Sequence, residues 1–382
     1  MDTHAHLDDP AFDSDRAEVI ERAKEAGLVS VITVGCWKAE GAFGSLPELV
    51  ADNDILYMAL GVHPHDAKEA TGHAPLELIR KISETNKKLV AIGETGLDYH
   101  YKHSSPKEQR DLFVRQVGLA RELNLPLVVH SREAETETLE ILKGEGVGET
   151  GGILHCFSGS ARMAEEALSL GLYISFSGIV TFPKADEIRE VVSLAPTERI
   201  LIETDCPYLT PVPNRGKRNE PANVVDTARA VAEVRGVTLE DIARITTLNA
   251  RECFALETDE PREVRLAYKI RNSLYLNITN RCTNYCTFCA KFKSYTVKGH
   301  YLRLAEEPTE AEVLNAIGPN PEEYDEIVFC GYGEPLLRLD LVRKVGLRLK
   351  KRGCKIRIDT DGLANLVNGE NVLPKLKFVD TI

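Results

Sequence analysis

Short apolar runs recur along residues 29–202, and a longer stretch with helical spacing separates each run from the next. The runs cover residues 29–34, 56–60, 89–92, 127–129, 152–154, 173–176 and 200–202. Strands that are buried on both faces alternate with helices in this way when the sheet is parallel. With one further short strand near the N-terminus, the pattern predicts an α/β chain that closes into a TIM-type (β/α) barrel.

The chain has 382 residues, more than the roughly 250–300 at which a single core stops growing, so we expect two domains. A charge-rich stretch follows the barrel pattern, and a second βα series begins at Asn272. This series has strands predicted at 274–278, 326–330 and 355–360, helices at 309–317 and 339–352, and a further strand starting at 378. We therefore expect a barrel over residues 1–256, a linker over 257–271 and an incomplete (β/α) partial barrel over 272–382.

The formal charge is −12, and it is distributed unevenly. Residues 272–382 carry a net charge of +2, so residues 1–271 carry −14. An acidic barrel does not attract a phosphate backbone by simple electrostatics, but bound divalent cations would supply that attraction locally. We see no apolar run of about 18 residues and no signal peptide. The nine cysteines are therefore read as reduced thiols, and the protein as cytoplasmic and without a membrane partner.

Side chains that can bind metal ions lie at or just after the predicted barrel strands. They are His4, His6, His63, Glu94, His130, His155, Glu203 and Asp205. The carboxyl ends of barrel strands converge on one face, so these residues are expected to surround one site. His4 and His6 alternate on an extended segment, and both imidazoles can therefore reach one ion.

Imidazole and carboxylate ligands suit Mg²⁺, Mn²⁺ or Zn²⁺. A bridging carboxylate such as Glu94 can hold two ions about 3.5–4 Å apart, the arrangement used for phosphodiester cleavage. We therefore expect two divalent metal ions at this face.

Six short motifs resemble the TatD family of metal-dependent deoxyribonucleases. They are DTHAHLD (2–8), GVHP (61–64), GETGLD (93–98), VHSR (129–132), HCFSG (155–159) and ETDCPY (203–208), and RGKRNEP (215–221) matches the basic loop of the family. The resemblance implies that one metal ion is held by His4, His6, Glu94 and Asp205, and a second by Glu94, His130 and His155.

The same resemblance implies the remaining roles. Asp205 would orient or deprotonate the attacking water, His63 would face the phosphate, and Glu203 would support a further ion. The expected substrate is DNA or another phosphodiester, which makes the chain a hydrolase acting on ester bonds. A second interpretation stays open, because the same two-metal site could hydrolyse an ester or amide, for example as an aminoacyl-tRNA deacylase.

Three cysteines are clustered at Cys282, Cys286 and Cys289, after the first strand of the second series. Three thiolates can ligate three irons of a 4Fe–4S cluster. A zinc site with His300 or Cys330 as fourth ligand is the alternative, and either kind of site could be a non-catalytic appendage.

Further motifs extend this pattern. Phe288 precedes the last cysteine of the cluster, and Gly331, Gly333 and Glu334 follow the second strand. Together they resemble the N-terminal half of a radical S-adenosylmethionine domain. The resemblance implies that the three cysteines bind the cluster and that the glycine-rich motif binds S-adenosylmethionine. Residues 272–382 supply only about half of such a domain. We therefore expect a truncated product or a fragment, and we do not expect it to carry out radical catalysis.

Overall fold

The computed structural model describes residues 1–256, 264–284, 286, 289 and 296–382. Two compact units make up the chain, Met1–Glu257 and Thr258–Ile382. Within the described ranges, no helix combines the length and the apolar character that crossing a membrane requires.

The first unit is an eight-stranded parallel barrel, as the alternation of apolar runs predicts. Its strands are β1 (Asp2–Ala5), β2 (Val31–Cys36), β3 (Leu56–Gly61), β4 (Leu89–Asp98), β5 (Leu127–Arg132), β6 (Gly152–Leu154), β7 (Tyr173–Phe176) and β8 (Ile200–Ile202). They pair in chain order, and a parallel bridge between Ala5 and Cys206 joins the first strand to the segment that follows the last. The N–H of Asp205 also donates to the carbonyl of His4, at 2.9 Å.

Helices cover the outside of this barrel. They are α1 (Arg16–Glu25), α2 (Leu46–Ala51), α3 (Ala74–Thr85), α4 (Pro106–Leu123), α5 (Glu135–Gly144), α6 (Ala161–Ser169), α7 (Asp186–Leu194), α8 (Val224–Arg235) and α9 (Leu239–Cys253). Capping boxes at Ser105 and Thr238 begin α4 and α9, because each side chain satisfies an N–H that the first helical turn leaves free.

Apolar side chains from alternating strand positions fill the barrel interior. Ile32, Val34, Ala59, Val128, Ile153 and Leu201 belong to one fully buried cluster, which Met1 and Phe254 also join. The barrel is therefore a packed core, and polar side chains can gather only at its ends.

Strand β4 is longer than the apolar run at 89–92 predicts. It continues to Asp98, and Leu97 and Asp98 still pair with Ser131 and Arg132 of β5. The extension is buried although it carries polar side chains. It places Glu94 inside a strand and Asp98 at the strand's carboxyl end.

The second unit is built on a four-stranded sheet in the order β14–β13–β10–β9. Its strands are β9 (Ala267–Ile270), β10 (Ser273–Leu276), β13 (Glu326–Phe329) and β14 (Ile356–Ile358), with a separate hairpin of β11 (Thr296–Val297) and β12 (His300–Tyr301). Strands β10, β13 and β14 are parallel, while β9 is antiparallel to β10. The helices are α10 (Glu310–Ile317), α11 (Leu339–Lys351) and α12 (Ala364–Asn368).

Two local features of this unit differ from the prediction. Strand β9 lies within the stretch that the sequence assigned to a linker, and it pairs with β10 over its whole length. The strand expected from residue 378 is limited to one parallel bridge between Arg357 and Thr381, preceded by a 3-10 turn at Leu373–Leu376.

Candidate functional site

Strand β1 brings two imidazoles to the carboxyl end of the barrel. His4 is fully buried within the strand, and His6 lies directly after it. Their Nε2 atoms are 3.2 Å apart, and the Nδ1 atom of His6 is 3.0 Å from the carbonyl oxygen of Val34. A histidine that donates Nδ1–H to a carbonyl presents an unprotonated Nε2, which is the form that binds metal.

Glu94 reaches the same point from β4, where the backbones of neighbouring strands approach closely. A Cβ on Gly93 would lie 2.5 Å from the carbonyl oxygen of Val128, and one on Gly96 would lie 2.0 Å from that of His130. The glycines on either side therefore let the strand carry the Glu94 carboxylate into the barrel end. Its Oε2 is 3.6 Å from Nε2 of His4 and 3.8 Å from Nε2 of His6.

Asp205 completes this first group of donors from the segment after β8. Its Oδ1 lies 3.7 Å from Nε2 of His4 and 3.5 Å from Nε2 of His6. The side chain is 15% exposed, so solvent reaches the group at this residue.

The other oxygen of Glu94, Oε1, faces a second group of imidazoles. It lies 2.8 Å from Nε2 of His155, 2.9 Å from Nδ1 of His130 and 3.5 Å from Nε2 of His63. The two closer nitrogens are themselves 3.4 Å apart. His63, which the sequence placed opposite a phosphate, thus lies among the possible ligands.

These spacings test whether a metal ion fits the donors. Ligand atoms about 2.0–2.2 Å from a tetrahedral ion lie roughly 3.3–3.6 Å from one another. The contacts in the first group range from 3.2 Å for the two imidazoles to 3.8 Å for His6 and Glu94. The first group therefore fits a divalent cation by spacing. In the second group, Oε1 of Glu94 lies 2.8–2.9 Å from His155 and His130, which is hydrogen-bond distance, so these donors would have to separate slightly around an ion. Imidazole nitrogens and carboxylate oxygens suit a divalent cation in both groups.

Charges within the site compensate one another. Burial would raise the pKa of Glu94, but His155 and His63, together with hydrogen bonding from His130, hold it well below its usual range. Burial likewise opposes the charge on His6, yet Asp205 raises the pKa of His6 to about 9. The buried carboxylates are thus balanced by imidazolium protons, and a bound cation would take the place of those protons.

Two buried carboxylates lie behind the metal-facing imidazoles, and the sequence analysis missed one of them, Asp98. Its Oδ2 lies 3.2 Å from Nε2 of His130 and 3.0 Å from Nε2 of His65. The signal for Asp98 was present as the last residue of GETGLD. His65, two residues after His63, was also passed over.

Glu203 lies behind His155 as Asp98 lies behind His130. Its Oε1 is 3.3 Å from Nδ1 of His155 and accepts the N–H of Cys156 at 2.6 Å. Glu203 Oε2 and Nδ1 of His4 are buried without a hydrogen-bond partner among the described residues. His4, His155 and Glu203 also bring their ligand atoms within 4.8 Å of one another.

The basic loop at 215–218 is partly engaged within the protein. Arg218 donates to both carboxylate oxygens of Asp15, at 2.7 Å each. The guanidinium of Arg215 lies 3.8 Å from the ring centroid of Phe182. Arg218 therefore fixes the loop to the residue that precedes α1, a role that the sequence did not indicate.

In the second unit, Cys282, Cys286 and Cys289 are half-buried free thiols that follow β10. The N–H of Cys289 donates to the carbonyl of Cys286 at 3.0 Å, which forms a turn between the last two thiols. Phe288, which also entered the prediction, lies outside the described residues.

Gly331 and Gly333 follow β13 at positions where a side chain would not fit. A Cβ on Gly331 would lie 2.5 Å from Oδ1 of Asn277, and one on Gly333 would lie 2.3 Å from the carbonyl oxygen of Arg281. Glu334 is buried, and it accepts from the N–H groups of Leu336 and Asp361 and from the Thr360 hydroxyl at 2.7–2.9 Å. The glycine-rich segment is thus packed against the loop that leads to the cysteines.

A parallel eight-stranded barrel with histidines and carboxylates at its carboxyl end defines the class of metal-dependent (β/α)-barrel hydrolases. Comparison with known families agrees. Residues 1–255 match the family model described as TatD related DNase, and the chain belongs to that family. Residues 276–380 match the model of the radical SAM superfamily, so the chain also carries a radical SAM domain. Both resemblances seen in the sequence are thereby confirmed.

Individual relatives give the same result. The uncharacterized metal-dependent hydrolase YabD of Bacillus subtilis is 45% identical over 256 residues, which are 67% of this chain and 99% of the relative. The protein named 3'-5' ssDNA/RNA exonuclease TatD of Erwinia tasmaniensis is 36% identical over 67% of this chain and its own full length. The crystal structure of YjjV, a TatD homolog from Escherichia coli, superposes with a TM-score of 0.62 at 32% identity, covering 67% and 98% of the two chains. This chain is therefore a metal-dependent hydrolase of the TatD type.

Proposed function

We propose that the barrel hydrolyses phosphodiester bonds of DNA by a two-metal mechanism. The observation that carries the proposal is the position of Glu94, whose carboxylate oxygens face different groups of donors. Oε2 lies toward His4 and His6, and Oε1 lies toward His130 and His155. A carboxylate shared in this way is what a pair of adjacent cations requires.

The ligand sets follow from those contacts. His4, His6, Glu94 and Asp205 would hold one ion, and Glu94, His130 and His155 the second. Two divalent ions supply charge stabilisation for the attacking and leaving oxygens of an in-line displacement at phosphorus. Mg²⁺, Mn²⁺ and Zn²⁺ all accept nitrogen and oxygen donors of these kinds.

The protein's own groups then have distinct tasks. Asp205 is held as a carboxylate, because histidines outweigh its burial and lower its pKa. Its side chain is partly exposed, so it can accept a hydrogen bond and then a proton from the attacking water. Nε2 of His63 is 3.5 Å from Oε1 of Glu94, and the His63 side chain is partly exposed, so it can donate to a phosphate oxygen.

Nucleic acid is supported as the substrate by the chemistry and by the relatives. The family is described as TatD related DNase, and the relative from Erwinia tasmaniensis is named for cleaving single-stranded DNA and RNA from the 3' end. A net charge of −14 on residues 1–271 means that phosphate must be attracted locally, as bound cations would do.

The test is hydrolysis of short single-stranded DNA with Mg²⁺ or Mn²⁺, with and without a chelator. We expect cleavage that chelation abolishes and that the Asp205→Asn protein lacks. Asp186→Asn is the matched control, because Asp186 is an exposed acid in the first turn of α7. No cleavage by a folded, metal-loaded protein would overturn the proposal, and hydrolysis of an aminoacyl ester by that protein would favour the deacylase.

For the second unit, we propose that Cys282, Cys286 and Cys289 bind a 4Fe–4S cluster and that Gly331, Gly333 and Glu334 contact S-adenosylmethionine. The close packing of Gly331 against Asn277 and of Gly333 against Arg281 supports this assignment, because it holds the glycine-rich segment beside the loop that leads to the cysteines. Glu334 follows these glycines directly, and its carboxyl group is of the kind that accepts hydrogen bonds from an ammonium group.

Iron and sulfide analysis after anaerobic reconstitution tests the cluster. We expect about four irons per chain, lost in Cys286→Ala and retained in Cys354→Ala, since Cys354 is buried in the core of the unit. Zinc in place of iron, with retention dependent on Cys330, would show the zinc site instead.

A further inference from the structure

The loop after β4 has an unusual composition for this acidic unit. Residues 99–103 read Tyr-His-Tyr-Lys-His, so aromatic and basic side chains occupy five consecutive positions. Residues 100–103 are all exposed, and Tyr101 is 44% exposed. In residues 1–256, all of which the structure describes, Tyr101 and Tyr208 are the only exposed tyrosines. Tyr101 follows β4, which carries Glu94, and Tyr208 lies three residues after Asp205.

Asp98 anchors this loop to the metal-facing groups. Its Oδ1 accepts the N–H groups of His100 and Tyr101, at 3.0 Å each. Its Oδ2 lies 3.2 Å from Nε2 of His130, the imidazole that also contacts Glu94. One buried side chain therefore fixes both the start of the loop and a proposed ligand, and the loop lies beside the metal groups.

The exposed rings and cations of the loop are grouped together. The guanidinium of Arg132, the last residue of β5, lies 4.9 Å from the ring centroid of Tyr101. The ring of His65 meets Tyr101 edge-on at 5.4 Å, and His103 lies 4.7 Å from His65. In the described part of the chain, neither Lys102 nor Arg132 forms an ion pair, whereas His100 is paired with Glu133.

We propose that Tyr101, Lys102, His103 and Arg132, here called the aromatic rim, bind a nucleotide of a single-stranded nucleic acid next to the bond being cleaved. This inference rests on the proposed function, and it specifies which residues hold the strand and where the strand lies. Tyr101 and the guanidinium of Arg132 present flat surfaces on which an unpaired base stacks. The unpaired cations contact the adjoining phosphates.

The rim selects single strands for a physical reason. The faces of a base are covered by its neighbours in a duplex, and they become available only when the base is unstacked. Base-to-aromatic stacking tolerates any base, so the rim recognises strand form and not sequence. The basic loop cannot supply all of this contact, because Arg218 is already bound by Asp15.

The test measures coupling between Tyr101 and one base of the substrate. Fluorescein-labelled oligonucleotides with a single abasic residue at successive positions from the 3' end are bound to the Asp205→Asn protein with Mg²⁺ present. Anisotropy reports the Kd without cleavage. We expect the loss of one particular base to weaken binding about tenfold, and Tyr101→Leu to weaken binding of the intact strand equally. In the Tyr101→Leu protein, removing that base then has no further effect.

Three comparisons keep the result specific. Tyr101→Phe retains the ring and is expected to bind as before, which separates stacking from misfolding. Tyr57→Leu changes a half-buried tyrosine at the start of β3, at the opposite end of the barrel, and is expected to leave Kd unchanged. Arg132→Ala is expected to weaken binding and to reduce its salt dependence.

The outcomes are distinct from those of the proposed function. The proposal that the aromatic rim binds a nucleotide would be overturned if the Tyr101→Leu substitution left Kd unchanged. It would also be overturned if every abasic position raised Kd equally. Binding that shows the predicted coupling, in a protein that cleaves no phosphodiester, would overturn the hydrolytic proposal while supporting the rim as a strand-binding surface.

Discussion

Nε2 of His155 lies 2.8 Å from Oε1 of Glu94, while the other oxygen of the same carboxylate lies 3.6 Å from Nε2 of His4. The residues come from β4, from the segment after β6 and from β1, and they meet because parallel strands end on the same face. The contact is therefore a product of the closed barrel, and it places one carboxylate between two groups of imidazoles.

Replacing Glu94 by glutamine is expected to weaken both groups at once. Gln keeps the shape of the side chain but removes the charge that two cations would share, so retained metal should fall for both ions. Hydrolysis should fall by more than the roughly 10–100-fold that outer-sphere partners cause. Elemental analysis after desalting checks this expectation.

Asp205→Asn is the comparison for Glu94→Gln, since Asp205 contacts only the His4 and His6 group. Loss of about one ion in Asp205→Asn and of both in Glu94→Gln would agree with a shared carboxylate. Identical metal content in the two variants would contradict it.

Glu203→Gln is expected to lower metal affinity without removing a ligand. Glu203 accepts from Cys156 and faces Nδ1 of His155, so its charge fixes which imidazole nitrogen is free to bind metal. Loss of such a partner typically costs 10–100-fold in affinity. Isothermal titration with Mn²⁺ measures the change, and circular dichroism checks the fold.

The control for Glu203→Gln is Glu198→Gln, which changes an exposed acid just before β8, at the other end of that strand. It should titrate like the unaltered chain. If Glu203→Gln instead loses one equivalent of metal with the remaining affinities unchanged, Glu203 is a ligand of a further ion, together with His4 and His155.

Asp15 gives a prediction for acid stability. Hydrogen bonds from Arg218, and also from Arg22, lower the pKa of Asp15 from 3.8 to about 2. Because the folded-state pKa is depressed, the stabilisation is present above about pH 4 and is lost as pH falls toward 2. Asp15→Asn should therefore lower Tm slightly at pH 6 and make little difference at pH 2.

Asp54→Asn is the control for Asp15, since Asp54 is an exposed acid without an ion-pair partner in the described residues. Its Tm should follow that of the unaltered chain at both pH values. A Tm difference for Asp15→Asn that persists undiminished at pH 2 would show that the linkage to Arg218 is not electrostatic.

The positions of β2 to β8 could be predicted because each carries a short apolar run that must be buried, whereas β1 has the polar sequence Asp-Thr-His-Ala. The extension of β4 could not be predicted, since Glu94–Asp98 is largely polar and becomes buried only when β5 and the metal-facing groups surround it. Strand β9 was hidden for a related reason. Within Ala267–Ile270 only Tyr268 is buried, so the sequence has no apolar run there, and only its pairing with β10 makes it a strand.

Most donors at the barrel end could be predicted individually because they follow an apolar run, while His4 and His6 were predicted from their alternation on an extended segment. The hydrogen-bond partners of these donors could not be predicted. Asp98 contacts both His65 and His130 only because of the register between β4 and β5. Spacing along the chain carries no information about that contact. The run of aromatic and basic side chains at 99–103 is visible in the sequence, but only the contacts of Asp98 with the loop and with His130 place it beside the metal-facing groups.

Gly96 shows most directly how the backbone of β4 supports the site. Its φ is +136°, and a Cβ there would lie 2.0 Å from the carbonyl oxygen of His130, the residue it pairs with across the strands. Gly96→Ala therefore combines an unfavourable backbone conformation, about 1–3 kcal/mol, with overpacking of similar size. We expect a loss of about 2–6 kcal/mol in the free energy of unfolding, with weaker metal binding because His130 must move away from Glu94.

Gly118→Ala is the matched control for Gly96→Ala, because Gly118 lies within α4 and a Cβ there would meet no atom within 4 Å. Alanine is favoured over glycine inside a helix by about 0.5–1 kcal/mol, so this variant should gain stability. Calorimetric unfolding of the two variants gives the comparison. Equal stability would mean that β4 can shift away from β5 at little cost, and that the position of Glu94 does not depend on the close approach of these two strands.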